Sequence, residues 1–168
     1  MRAGLGRVGT AVTVVAIPVL LCEFYVVNFP GGAPAPFPIP PIYKALATFP
    51  PGAVVSLPDY ADTALSFEEA DYQYYSTAHW HPIVNGYSRS EPAGFRPLVG
   101  RLSTFPLPSS AETMRITGIR YAILHARRIE GGSDLASRSS ANGDFQLIAQ
   151  HGDDYLFEVM PASTRQTQ

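Results

Sequence analysis

The apolar residues of this chain are spread unevenly. From Val8 to Val27 the sequence reads VGTAVTVVAIPVLLCEFYVV, twenty residues with one charge, Glu23, which is about the length an α-helix needs to cross the hydrocarbon core of a bilayer. Arg2 and Arg7 precede the run and no other basic residue occurs before Lys44. The positive-inside bias therefore predicts a single-pass protein of the cell membrane, with a cytoplasmic N-terminus and an extracytoplasmic remainder. Pro18 is tolerated in such a helix as a kink, and Glu23 lies near enough to the outer interface to reach headgroups or water. Two other readings compete. A cleaved signal peptide fits the basic start and the uncharged run from Val8 to Cys22, but Leu20, Leu21, Cys22 and Glu23 stand where a small-residue cleavage site belongs. A buried helix in a soluble core is disfavoured by the β-branched, glycine-interrupted and proline-broken composition.

The pattern then changes twice. Residues 30–58 hold nine of the sixteen prolines, including PGGAPAPFPIPP at 30–41, and residues 28–51 read as a semi-rigid, polyproline-like stalk broken by a helical turn at Ile42–Thr48. Residues 52–160 read as a folded domain. The apolar run Ala53–Leu57, between Gly52 and Pro58, predicts a buried strand. Ser66 and Glu69 form a capping-box signature for a helix running to about Ala78, with Phe67, Ala70 and Tyr74 on its inner face. Ser109 and Glu112 repeat that signature, and Gly118 supplies a stop. Ile119–His125 (IRYAILH) is the strongest strand pattern, and the strand, helix, strand order predicts that it lies parallel to Ala53–Leu57. Glu130–Asn142 (EGGSDLASRSSAN) reads as a polar loop. Phe145–Gln150 and Tyr155–Val159 read as a hairpin, and 161–168 as a disordered tail. The predicted fold class is α/β, with one N-terminal transmembrane helix followed by a small mixed-sheet domain.

Composition narrows the function. A net charge of -2 and 15% charged residues leave no basic field for nucleic acid. The single cysteine, Cys22, excludes an internal disulfide and a thiolate-rich metal site. The candidate chemistry lies in Tyr72–Ser88, YQYYSTAHWHPIVNGYS, which holds four tyrosines, two histidines and the only tryptophan. His79 and His81 are two apart, a metal-ligand spacing on extended chain that needs a third ligand from His125, His151, Asp59, Asp62, Glu68, Glu69 or Asp71. Ser76 with His79 and an aspartate would make a nucleophile, base and orienter, but no strained glycine elbow surrounds Ser76. Glu68 and Glu69 are adjacent on a predicted helix and so point apart, which favours a solvated face over paired carboxylate catalysis. The tyrosines and Trp80 suit stacking on sugar rings; against that stands a plain structural use, with Tyr74 and Trp80 in the core and Asn85-Gly86 in a turn.

At this segment the chain resembles a family. Ser76, Thr77, His79, Trp80, Pro82, Asn85, Gly86, Tyr87 and Ser88, followed by Phe105-Pro106 and by Gly118, Ile119, Arg120, Tyr121 and His125, resemble the C-terminal extracytoplasmic region of bacterial C-type polytopic membrane glycosyltransferases of the protein-mannosyltransferase kind. Glu23 matches the acidic end of their last membrane helix. The likeness runs from about residue 8 to residue 159, and Arg89 departs from it where the pattern has glycine. The acidic residue that those enzymes carry in their first extracytoplasmic loop has no counterpart here. The resemblance therefore implies a fragment or split subunit, not catalytic alone, that positions a sugar donor or acceptor; the residues themselves call for no cofactor or metal. Its implied partners are the lipid bilayer, a lipid-linked sugar or glycan acceptor, and a polytopic membrane subunit. His79, Trp80, Asn85, Tyr87 and Ser88 are the ligand-binding candidates. The alternative is a structural or interaction module that docks on a membrane partner without binding a ligand.

Overall fold

Four short apolar runs join into one mixed sheet in the computed structural model, which describes residues 14–19, 38–59, 68–86 and 92–162. The strands are β1 (Ala53–Leu57), β2 (Ile119–His125), β3 (Phe145–His151) and β4 (Asp154–Val159), in the spatial order β1-β2-β4-β3. As the crossover pattern predicts, β1 and β2 are parallel, with Val55 opposite Ala122 and Leu57 opposite Leu124. β4 is antiparallel to both β2 and β3, and the last two strands form the expected hairpin.

Side chains of a strand alternate between its faces, and here each face is covered. Val54, Tyr121, Ile123 and Leu156 face a core completed by Ile42, Tyr43, Leu46, Tyr72 and Tyr75, the last five supplied by helices α1 (Pro41–Leu46) and α2 (Glu69–Ser76). Val55, Ala122, Leu124 and Phe157 face a second core with Leu102, Met114 and Ala136, supplied by α3 (Phe95–Leu102), α4 (Pro108–Thr117) and α5 (Gly132–Ala141). Burial on both faces is why β2 reads as a continuous apolar run rather than an alternating one.

The chain divides into two compact units, Met1–Pro38 and Ile39–Gln168. In the first, residues 14–19 are helical, and Val14, Val15, Ile17 and Val19 are exposed. No helix among the described residues is long and apolar enough to cross a membrane. The transmembrane helix expected over 8–27 therefore has no support in the fold; apart from 14–19, that stretch lies outside the described residues. So do the tail from 163 onward and the stalk up to 37.

From Ile39 onward the proline-rich stretch belongs to the second unit. Ile42, Tyr43 and Leu46 are fully buried, because Pro40-Pro41 starts a helix, where a missing N–H costs nothing, and its apolar side chains then reach the sheet. α2 is rotated from its predicted phase: Glu69, Tyr72 and Tyr75 face inward while Tyr74 is exposed. Ser66 and Phe67 lie outside the described residues. The capping box expected at Ser109 and Glu112 does not form. Pro108 takes the first helical position, Leu107 flanks it without a side-chain cap, and Ser109 bonds Thr104 Oγ1 instead. Gly118 closes α4 at φ 74, as predicted.

The polar stretch 130–142, read as a loop, is mostly α5. Its serines bond back along their own helix, Ser137 Oγ to Ser133 O, Ser139 Oγ to Leu135 O and Ser140 Oγ to Ala136 O. Their polarity is thereby satisfied inside the helix, and small residues can sit close to the strands. Gly132 is pressed against Ala126, whose carbonyl carbon lies 2.7 Å from where a Cβ would be.

Candidate functional site

β1 and β2, being parallel, place Ser56 and His125 near neighbouring strand ends on the face covered by α1 and α2. Tyr43 of α1 reaches both. Its hydroxyl lies 3.0 Å from Ser56 Oγ and 2.8 Å from His125 Nε2, and His125 Nδ1 lies 2.7 Å from Asp154 Oδ1. A carboxylate can only accept, so Nδ1 carries the proton. In the neutral imidazole Nε2 accepts from the Tyr43 hydroxyl, which leaves that hydroxyl to accept from Ser56. The His125 ring is stacked against Tyr72 at 5.4 Å and 7°. Arg128 stands 5.4 Å from the centre of the Tyr72 ring, with Glu68 at 3.4 Å and Asp71 at 3.5 Å.

This chain of four polar side chains runs from β4 through β2 and α1 to β1. Burial holds the Tyr43 hydroxyl well above the ordinary phenol range; the Ser56 bond opposes the shift, and Tyr72 and Asp154 add to it. Such a tyrosine stays neutral and is a poor nucleophile. Tyr43, Ser56 and His125 are all buried, so the chain fastens α1 to the sheet instead of meeting a substrate.

The sequence-predicted residues lie at the end of α2 and just beyond it. His79 is 6% exposed. Its backbone N–H donates to Ser76 O, its ring stacks on Tyr43 at 5.9 Å and 13°, and its Nδ1 accepts the His81 N–H at 2.9 Å. Its Nε2 is buried with no hydrogen-bond partner. Burial, with the neighbouring His81 as a smaller cause, lowers its pKa to about 4. Trp80 turns the other way. It is 82% exposed and adopts φ 57, and it is the one described residue other than glycine with positive φ. Its N–H donates to Ser76 O at 2.8 Å.

Past Trp80 the chain runs along the open side of β1. Val54 N–H donates to Pro82 O and Val84 N–H to Val54 O, each at 2.9 Å. Asn85, 3% exposed, then continues the ladder with its side chain: Oδ1 accepts from Ser56 N–H at 2.6 Å, and Nδ2 donates to Ser56 O at 2.9 Å. Its amide stands in for a peptide group. Tyr87 and Ser88 lie outside the described residues. His79 and Asn85 thus face inward, and Trp80 faces solvent.

The other sequence candidates have separate uses. The His79 and His81 rings meet edge to face at 5.2 Å, and His81 Nδ1 pairs with Gly52 O at 3.2 Å. Among the described residues no group of three or more His, Cys, Asp or Glu side chains could hold a metal. Ser76 Oγ donates to Gln73 O, a bond within its own helix. Glu68 pairs with Arg128, while Glu69 is fully buried, contrary to the solvated face expected for both. Tyr43, Ser56 and Asp154 were not singled out, since they sit 82, 69 and 29 residues from His125 and no spacing rule links them. The usable signal was strand alternation, which puts Ser56 and His125 on one face.

Comparison of this chain with protein-family models, curated proteins and solved structures gives no match.

Proposed function

We propose that this chain is an extracytoplasmic domain, held at a membrane through its apolar N-terminal run, that positions a sugar donor or acceptor for a polyprenyl-phosphate-sugar-dependent glycosyltransferase and makes no bond itself. Trp80 is its sugar-facing side chain. The observation that carries this reading is that the chain's only tryptophan is both 82% exposed and held at φ 57. A left-handed conformation costs a bulky residue about 1–2 kcal/mol, and an exposed indole recovers none of it by packing. Backbone strain of this kind collects where a side chain is held ready for a ligand, and an open indole face suits the C–H face of a sugar ring.

A second reading also has an observation in its favour. Asn85 and His79 turn inward, and Asn85 is fully used in binding the backbone of Ser56, which fits a structural module that docks on a membrane partner through Trp80 instead. Glycan-array binding by the 168-residue chain, kept in a detergent without a sugar headgroup, separates the two. Binding that Trp80→Ala abolishes without altering the unfolding curve supports the sugar-facing role. Binding that survives Trp80→Ala overturns it, and no binding to any glycan favours docking.

A further inference from the structure

We propose that Tyr43 is a positioning residue that sets how Trp80 is presented, acting through His79; this rests on the reading of Trp80 as the ligand-facing group. Tyr43 is 1% exposed, and its two ends meet different parts of the fold. Its ring stacks on His79, nearly parallel, and lies tilted against Tyr75 at 5.0 Å. Its hydroxyl is bonded to Ser56 and His125, and His125 to Asp154. The hydroxyl end fastens α1 to the sheet, and the ring, held by its own packing against Tyr75 and His79, sets the imidazole.

His79 has little else to hold it. Of its two ring nitrogens one accepts the His81 N–H and the other has no partner. One hydrogen bond and packed rings therefore set the imidazole, and close packing leaves such a ring no second position while its neighbours stay in place. The left-handed turn of Trp80 lies between the two residues joined by that bond, His79 and His81. Removing the Tyr43 ring opens a space beside His79, frees the imidazole and releases the turn. Removing only the hydroxyl leaves the stack intact. This assigns a role to a residue 37 positions before Trp80, in a stretch whose composition reads as a spacer.

Because Trp80 is the sole tryptophan, its fluorescence reports on this turn directly, in the 168-residue chain with no sugar present. Time-resolved anisotropy resolves nanosecond side-chain motion, and Tyr43→Leu is expected to raise the amplitude of the fast decay roughly twofold. Tyr43→Phe, which retains the ring, should match the unchanged protein. Phe145→Leu, a core change in the cluster on the other face of the sheet, controls for general destabilisation and should also match it. Equal effects of Tyr43→Leu and Phe145→Leu, or of Tyr43→Leu and Tyr43→Phe, overturn the proposal. Should Tyr43→Leu fail to fold, His79→Ala must produce the same loosening with Tyr43 in place, and its failure to do so refutes the coupling. Loss of glycan binding as a function of Trp80 leaves these readouts untouched, so the two ideas fail separately.

Discussion

Replacing Asn85 by Ala removes two hydrogen bonds at once and leaves both backbone groups of Ser56 facing the gap. The bonds measure 2.6 and 2.9 Å, and both residues are buried at 3% exposure. Each buried group left without a partner costs about 1–3 kcal/mol, so the pair costs about 2–5 kcal/mol after partial relaxation. That is a large share of the roughly 5–15 kcal/mol that stabilises a domain of ordinary size. In urea, where the slope is about 1–3 kcal/mol per molar, the midpoint should fall by at least about 0.7 M with the slope unchanged. Asn85→Asp sharpens the result. It keeps the acceptor for Ser56 N–H but turns a carboxylate oxygen toward Ser56 O, so it should be destabilising at neutral pH and partly recover in acid, where a protonated carboxyl can donate again. A loss below about 0.5 kcal/mol for Asn85→Ala, the size of an ordinary surface change, would refute the anchoring role and return Asn85 to the ligand-binding candidates.

Further outcomes follow from the same geometry. His79 has its pKa lowered to about 4, first by burial, so the folded protein binds its proton less tightly than the unfolded chain, whose histidine titrates near 6.5. Its contribution is present above pH 6.5 and is lost as pH falls toward 4, at up to about 1.4 kcal/mol per pH unit; His79→Asn keeps an acceptor for His81 N–H and should flatten urea midpoints over that window. Gly132→Ala drives a Cβ into the Ala126 backbone and should cost about 3 kcal/mol or more. Gly118→Ala, at φ 74 in open space, should cost only about 1 kcal/mol, and thermal unfolding of the two variants ranks them.

The sheet was legible because its strands are short apolar runs bounded by glycine, proline and polar turns, and because a strand separated by helices from its neighbour pairs with it in parallel. The helical turn of α1 was legible at Ile42–Thr48, but its burial was not: prolines at 38, 40 and 41 read locally as an extended spacer, whereas burial of Ile42, Tyr43 and Leu46 is decided by contacts far away in sequence. α5 was hidden because serine disfavours helices only when its hydroxyl competes for the backbone, and here Ser137, Ser139 and Ser140 bond carbonyls of the preceding turn. α3 carries apolar residues at 95, 98, 99 and 102, a helical spacing, but a proline in its first turn and a glycine near its end hid it. The segment from His79 to Ser88 was legible as unusual, but not the opposite directions in which His79 and Trp80 turn. Asn85 lies next to Gly86, a pairing that suggests a turn, yet its amide lengthens a β-ladder. The polar chain from Asp154 to Ser56 was beyond any local pattern, since its four members come from four different elements or ends.

Trp80→Gly tests whether strain at Trp80 is kept for contact with a ligand. Glycine removes a left-handed penalty of about 1–2 kcal/mol and adds about 0.5–1 kcal/mol of unfolded-chain entropy, so the variant should be more stable by roughly 0.5–1 kcal/mol while losing binding to glycans and to farnesyl-phosphate mannose, a short-chain polyprenyl-phosphate sugar. The paired measurement is a urea unfolding curve and a calorimetric titration on the same sample. A stabilised variant that no longer binds is the predicted result. A variant that is destabilised, or that binds the glycan as the unchanged protein does, contradicts the account.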